Sequence, residues 1–177
     1  MEPAPEPNVD VRSLADGVPA AYAALYARLS RRLLRVAAAM LGDTAEAEDA
    51  VHDLFVALAR GRERLAYVED LDAYVFASLR HAIAARAQRR KFERRHWERL
   101  AAIGAPAAKS AEAADTGDVS AALAALPPEQ REIVVMKIDG GLTFSQIAQA
   151  LSISPNTAAS RYRYAMEKLR RFLEDRT

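Results

Sequence analysis

The chain has 177 residues, 51% of them apolar and 28% charged, with no cysteine, three histidines and a net charge of +1. This is the composition of a folded protein with room for two small cores, and without cysteine it excludes a disulfide framework or a thiolate metal site. The first ten residues, MEPAPEPNVD, are acidic and proline-rich, and no run of about twenty apolar residues follows them, so neither a signal peptide nor a membrane span is expected and the chain reads as cytoplasmic.

Alanine, leucine, arginine and glutamate dominate, which leans the whole chain to helix and predicts an all-α fold. Residues 1–18 read as a flexible N-terminal segment. Pro19 suits the first position of a helix whose Tyr22, Leu25, Tyr26, Leu29, Leu33 and Val36 recur at helical spacing up to Gly42, a C-terminal stop. Asp43 with Glu46 has the spacing of a capping box that opens a second helix, buried through Ala47, Val51, Leu54 and Leu58 and ended by Gly61. A third helix, capped by Asp70 or Asp72, buries Val75, Leu79, Ala82 and Ile83 and continues into an arginine-rich tract without a stop signal.

Residues 100–120 lose periodicity and are rich in alanine, glycine and small polar residues, the composition of a linker between units at 19–99 and 121–177. The second unit opens with a proline start at Leu126-Pro127-Pro128-Glu129, takes an apolar face from Ile133, Val134 and Ile138, and stops at Gly140-Gly141. Thr143 and Gln146 then form a capping box with Leu142 and Ile147 at the staple positions. After a turn at residues 152–154, Pro155 opens a last helix buried through Ala158, Tyr162, Ala165, Leu169 and Phe172. Two helices joined by a tight turn make a helix-turn-helix, whose second helix normally enters the DNA major groove.

Charge is segregated along the chain. Asp43 to Asp53 carries only acids, whereas Arg80 to Arg99 carries eight cations against Glu93 and Glu98. On the last helix, Asn156, Thr157, Ser160, Arg161, Arg163, Tyr164 and Lys168 lie off the apolar stripe and have the chemistry that reads base edges and phosphates; a solvated helix face is the alternative. Arg86 to Trp97 interleaves cations with Phe92 and Trp97. It suits phosphate neutralisation with stacking on unpaired bases, or equally a solubilising helix end whose rings cover the core. Glu48, Asp49, His52, Asp53 and Phe55 suggest a protein contact, against the alternative of an acidic solvated face. No nucleophile, phosphate loop or metal-ligand spacing accompanies these carboxylates, so no enzymatic activity, cofactor or metal is expected.

In order and content these segments resemble the extracytoplasmic-function (ECF) class of sigma factors within the sigma-70 family, which keep two conserved sigma regions joined by a linker. The stretch Glu46-Ala47-Glu48-Asp49-Ala50-Val51-His52-Asp53-Leu54-Phe55 resembles the acidic helix of that family. The signature of its second DNA-binding region is resembled by Leu126-Pro127-Pro128-Glu129-Gln130-Arg131-Glu132, by the run from Gly141 to Ala148, and by that from Ile153 to Arg161. The match covers roughly residues 20 to 99 and 120 to 173. The resemblance implies that Glu48, Asp49, His52, Asp53 and Phe55 bind the clamp helices of the largest subunit of core RNA polymerase. It places Arg80, His81, Arg86, Arg89, Arg90, Lys91, Phe92, Arg94, Arg95 and Trp97 near the single-stranded −10 element of promoter DNA. Thr143, Asn156, Thr157, Ser160, Arg161, Arg163, Tyr164 and Lys168 fall on the duplex −35 element. An anti-sigma factor is a further partner of such proteins, and the chain is expected to be monomeric outside the holoenzyme. His52, His81, Ala85 and Ala159 depart from the usual residues of the family, which leaves promoter preference open. The alternatives are a stand-alone helix-turn-helix regulator, against which the acidic helix and basic aromatic tract argue, and a degenerate sigma-like adaptor that binds polymerase without initiating.

Overall fold

The structure is a computed structural model that describes residues 9–102 and 118–174, all α-helical apart from turns and one short 3₁₀ segment. Helix α1 (Val11–Ala15) precedes α2 (Pro19–Leu41) and α3 (Thr44–Arg60). The 3₁₀ turn Arg62–Tyr67 leads into the 32-residue α4 (Leu71–Ala102). Beyond it stand α5 (Asp118–Ala125), α6 (Pro128–Ile138), α7 (Phe144–Leu151) and α8 (Pro155–Glu174). Most of the expected linker, 100–120, lies outside the described residues, as do residues 1–8.

Local sequence signals account for most helix ends. Pro19 occupies the first turn of α2, and Gly42 closes it in the left-handed region at φ 70°. The Asp43 carboxylate accepts from the Glu46 amide, but Glu46 does not return the bond, so the expected box is half formed. The reason is competition: the Glu46 carboxylate is held by Arg86 at 3.1 Å. For α4 the capping residue is Asp70, which accepts from the Ala73 amide at 2.9 Å, while Asp72 is engaged by arginines of α2. Thr143 and Gln146 complete their box.

Residues 9–18 depart from the expected flexible tail. Asp10 caps α1, and Ser13 Oγ with the amides of Arg12 and Ser13 holds its carboxyl below the usual carboxylate range. Leu14 is fully buried against the 3₁₀ turn, and the Tyr22 hydroxyl donates to the Leu14 and Leu58 carbonyls at 3.1 and 3.5 Å. A five-residue helix carries too weak a periodic signal to be read from sequence; its Asp10 cap and tertiary burial stabilise it together.

The stripes of α2, α3 and α4 bury Leu25, Leu29, Leu33, Leu54, Leu58, Phe76 and Leu79 in one core. Two expectations for the apolar faces fail. Tyr26 is half exposed, packed at a 60° tilt against Phe55 with ring centroids 5.1 Å apart, and Ile138 is exposed. The second follows from the surroundings of α6, which is buried on two sides rather than one. Ile133, Val135 and Met136 join the core of the N-terminal helices, together with Leu142 and Ile147. Val134 turns instead to Leu126, Ala165 and Leu169 of the C-terminal unit.

The two units are therefore packed against each other through a mixed apolar and polar seam. Arg32 of α2 donates its Nε to the Gly140 carbonyl at 2.7 Å and pairs with Asp72, which also holds Arg28 at 2.7 Å. Gln146 donates to Asp70 at 3.1 Å, and Arg80 pairs with Glu132 at 2.7 Å. A groove of about 450 Å³, open to solvent, runs along the seam, with Val36, Met40, Phe76, Leu79 and Met136 on its floor side and Arg80, Glu129, Arg131 and Glu132 also lining it.

Replacing Leu14 by Ala is expected to lower the unfolding free energy by about 2–5 kcal/mol, the cost of a cavity at a fully buried leucine. Denaturant titration checks it, and a loss below about 0.5 kcal/mol, the range of surface substitutions, would mean that α1 does not brace the core.

Candidate nucleic-acid and protein interfaces

The acidic helix α3 has two distinct edges. Glu48, His52 and Phe55, spaced at i, i+4 and i+7, face a groove shared with Tyr22, Tyr26 and Val51 of the α2–α3 pair, about 620 Å³ in volume. Glu48 and His52 are exposed, and Phe55 is partly covered by Tyr26. Glu46, Asp49 and Asp53 lie on the other edge and converge on Arg86 of α4, at 3.1, 3.1 and 3.0 Å. Burial disfavours the Arg86 charge, but hydrogen bonds to Glu46 and Asp53 and the fields of Asp53 and Asp49 outweigh it and raise the pKa. Arg86, the one largely covered cation of the tract, is thus an internal tie between α3 and α4 in this arrangement.

Past Arg86, α4 leaves the core. Arg89, Arg90, Lys91, Arg94 and Arg95 are exposed, and Phe92 and Trp97 remain 72% and 56% exposed, so the rings do not cover the core. Where α4 still packs on α3, His81 lines a depression of about 770 Å³ with Arg64, Tyr74, Ser78 and Arg89. Tyr67 at the end of the 3₁₀ turn is 88% exposed. Arg64 and Tyr67 belong to a 3₁₀ turn, which has no helical stripe by which their exposure could be read from spacing. Arg80 is half exposed and paired with Glu132 across the seam.

In the C-terminal unit, α7 and α8 form the helix-turn-helix, with Ser152 in the left-handed region at the turn. Ser154 Oγ accepts from the Thr157 amide at 3.0 Å, and Ser160 donates to the Thr157 carbonyl at 3.0 Å. Thr157 and Ser160 therefore help shape the first turn of α8 while Asn156, Arg163, Tyr164 and Lys168 project outward. The Arg163 guanidinium lies 5.6 Å from the Tyr164 ring centroid. Arg161 is held by Glu129 of α6 at 3.0 Å. Thr143 is exposed at the start of α7, its hydroxyl spent on the capping box. Arg131 donates to the carbonyls of Leu123 and Leu126, fixing the end of α5 on the unit.

A helix-turn-helix beside a helical unit with an acidic edge and a basic, aromatic-bearing helix defines a two-part DNA-binding transcription factor. Residues 25–93 match the family described as Sigma-70 region 2, and residues 116–169 match Sigma-70, region 4. Over 165 residues the chain is 32% identical to the RNA polymerase sigma factor CarQ of Myxococcus xanthus, covering 89% of this chain and 92% of that relative. Two solved structures share the fold. One is CnrH in complex with the cytosolic domain of CnrY, with a TM-score of 0.70, 20% identity and coverage of 94% of this chain and 96% of that one. The other is the sigma factor RpoE with the anti-sigma factor NepR from Bartonella quintana, with a TM-score of 0.64, 22% identity and coverage of 85% and 96%. The chain belongs to the sigma-70 family of RNA polymerase sigma factors, in its extracytoplasmic-function group, and is an alternative sigma factor that directs promoter-specific initiation by core RNA polymerase.

Arg86→Met is expected to lower stability by about 1–3 kcal/mol, because it leaves three carboxylates clustered without their cation. Unchanged denaturation midpoints would show that the tie is only a surface arrangement of charges.

Proposed function

We propose that the three surfaces divide the work of initiation, within units at 19–99 and 121–177, the first extended to include α1. The α2–α3 groove docks the clamp helices of the largest polymerase subunit, through Glu48, His52 and Phe55, with Asp49 and Asp53 setting the negative field beside it. The exposed half of α4, with Arg89, Arg90, Lys91, Phe92, Arg94, Arg95 and Trp97, holds the unpaired −10 strand. Arg80 and His81 serve the same strand nearer the core, and Arg86 acts through its electrostatic tie to α3. Thr143 and the outward residues of α8 meet the −35 duplex, where Asn156 and Arg161 read bases and Thr157, Ser160, Arg163, Tyr164 and Lys168 fix the phosphate register.

The observation that carries this reading is the pair of large rings, Phe92 and Trp97, left in solvent among cations on a helix that has outrun its core. A soluble surface gains nothing from two such rings, whereas stacking on a base is worth about 1–3 kcal/mol. The protein works by binding energy: capture of unpaired bases favours the melted promoter by mass action, and polymerase supplies the chemistry. It acts in the cytoplasm as a monomer outside the holoenzyme; no helix among the described residues is long and apolar enough to cross a membrane. Because two relatives of this fold are seen with CnrY and with an anti-sigma factor, we assign the α2–α3 groove as the place where a protein regulator of this chain competes with polymerase.

Run-off transcription from a promoter library with core polymerase tests the reading as a whole. Asn156→Ala is expected to cost about 1–3 kcal/mol at particular −35 bases and to relax selection there. Glu48→Arg, which spares the Arg86 tie, should weaken polymerase binding while leaving duplex binding intact. A flat −35 preference profile before and after Asn156→Ala removes base reading from that residue, and equal loss of both bindings in Glu48→Arg points to misfolding instead.

A further inference from the structure

The free half of α4 carries its two large rings on different faces. Phe92 and Trp97 are five residues apart, which sets them about 140° apart around the helix axis and about 7.5 Å apart along it. Each ring has its own cations. Arg89 and Arg95 stand three residues to either side of Phe92, whereas Arg90 and Arg94, seven and three residues before Trp97, lie on the face of that ring. Glu93 projects between the rings, about 100° from Phe92 and about 40° from Trp97. His96, on the Phe92 side, already packs on Trp97, with ring centroids 6.3 Å apart and planes at 67°.

The two faces also lead to different places. Stepping back from Phe92 at helical spacing gives Arg89, Ala85, His81, Ser78 and Tyr74, and all five line the open depression between α3 and α4. This face is a continuous track from the depression to the free end of the helix. Stepping back from Trp97 gives Arg94, Arg90 and Arg86, then Ile83 and Leu79, which are buried. Arg86 is tied to the carboxylates of α3, so a partner lying on this face can run no further than that residue.

From this division we infer that the end of α4 stands between the two separated strands of a melted promoter: the Phe92 face takes the −10 strand and the Trp97 face takes its unpaired complement. The inference rests on the assignment of α4 to unpaired promoter bases and divides that role between the rings. One strand reaching both rings by the shorter way round would carry its phosphates past the Glu93 carboxylate, a like charge, and across His96. By the longer way it would wrap about 220° of the helix. Two strands need neither path. Each finds one ring to stack on and two arginines for its phosphates, and the helix with its side chains, about 10–12 Å across, holds the strands too far apart to pair again. The melted state is then favoured on both strands at once.

The test uses the holoenzyme with the photocrosslinker p-benzoylphenylalanine in place of Phe92 or of Trp97, on a promoter selected by run-off transcription and labelled differently on each strand. Both positions are exposed, so the aromatic replacement leaves the core untouched. The crosslink from position 92 is expected on the −10 strand and that from position 97 on the complement. Permanganate, which attacks unstacked thymines, gives a second readout. Normalised to the amount of open complex, Phe92→Ala should raise reactivity on the −10 strand alone and Trp97→Ala on the complement alone, each about fivefold or more. Crosslinks from both positions to the same strand, a position-97 crosslink to polymerase protein only, or permanganate changes confined to one strand in both variants overturn the inference. If neither position reaches DNA in a holoenzyme that initiates, the assignment of α4 to unpaired bases fails, and the inference falls with it.

Discussion

The arrangement of the molecule depends on α6 being apolar on adjoining faces in its second half. Four consecutive residues, Ile133 to Met136, are buried, and a helix apolar on adjoining faces must be covered from more than one direction. Val134 binds it to α8 and thereby to the helix-turn-helix; Ile133, Val135 and Met136 bind it to α2 and α4. Everything else about the relation of the two units follows from this double burial, including the location of Glu129 and Glu132 between the cations of both.

Electrostatics then decides which parts of the segregated charge are available. The acids of α3 and the cations of α4 are complementary, and packing the two helices together lets part of that complementarity neutralise itself internally at Arg86. What remains outward is the Glu48 and His52 edge on one side and the far half of α4 on the other. A chain with a net charge of +1 thus presents surfaces of opposite sign, each suited to a different partner.

Much of this was legible from spacing alone. Pro19, Gly42, Asp43, Thr143 and Gln146 fix helix ends because their roles are local, involving bonds within a few residues. The buried stripes of α2 and α3, and the family-like order of segments, were legible for a related reason: a helix buried against one partner leaves a regular pattern. Where burial or pairing is set by distant chain, the sequence is silent. Tyr26 has the spacing of a core residue and lies half exposed; Ile138 continues an apolar run and is in solvent; Leu14 sits in a proline-rich, polar neighbourhood and is fully buried. The diversion of Glu46 to Arg86, of Arg80 to Glu132 and of Arg161 to Glu129 could not be read at all, because each joins residues more than 30 positions apart with no periodic relation between them.

The unsupported half of α4 has an electrical consequence of its own. Arg90 and Arg94, Lys91 and Arg95, and Arg95 and Arg99 are like-charged neighbours one helical turn apart, and each such pair weakens the helix by a few tenths of a kcal/mol. Dissolved ions relieve that repulsion by screening it, whereas a phosphate backbone relieves it by filling the gaps between the cations. Ionic strength therefore competes with a bound strand for the same cations, and salt loosens the hold of this helix on it.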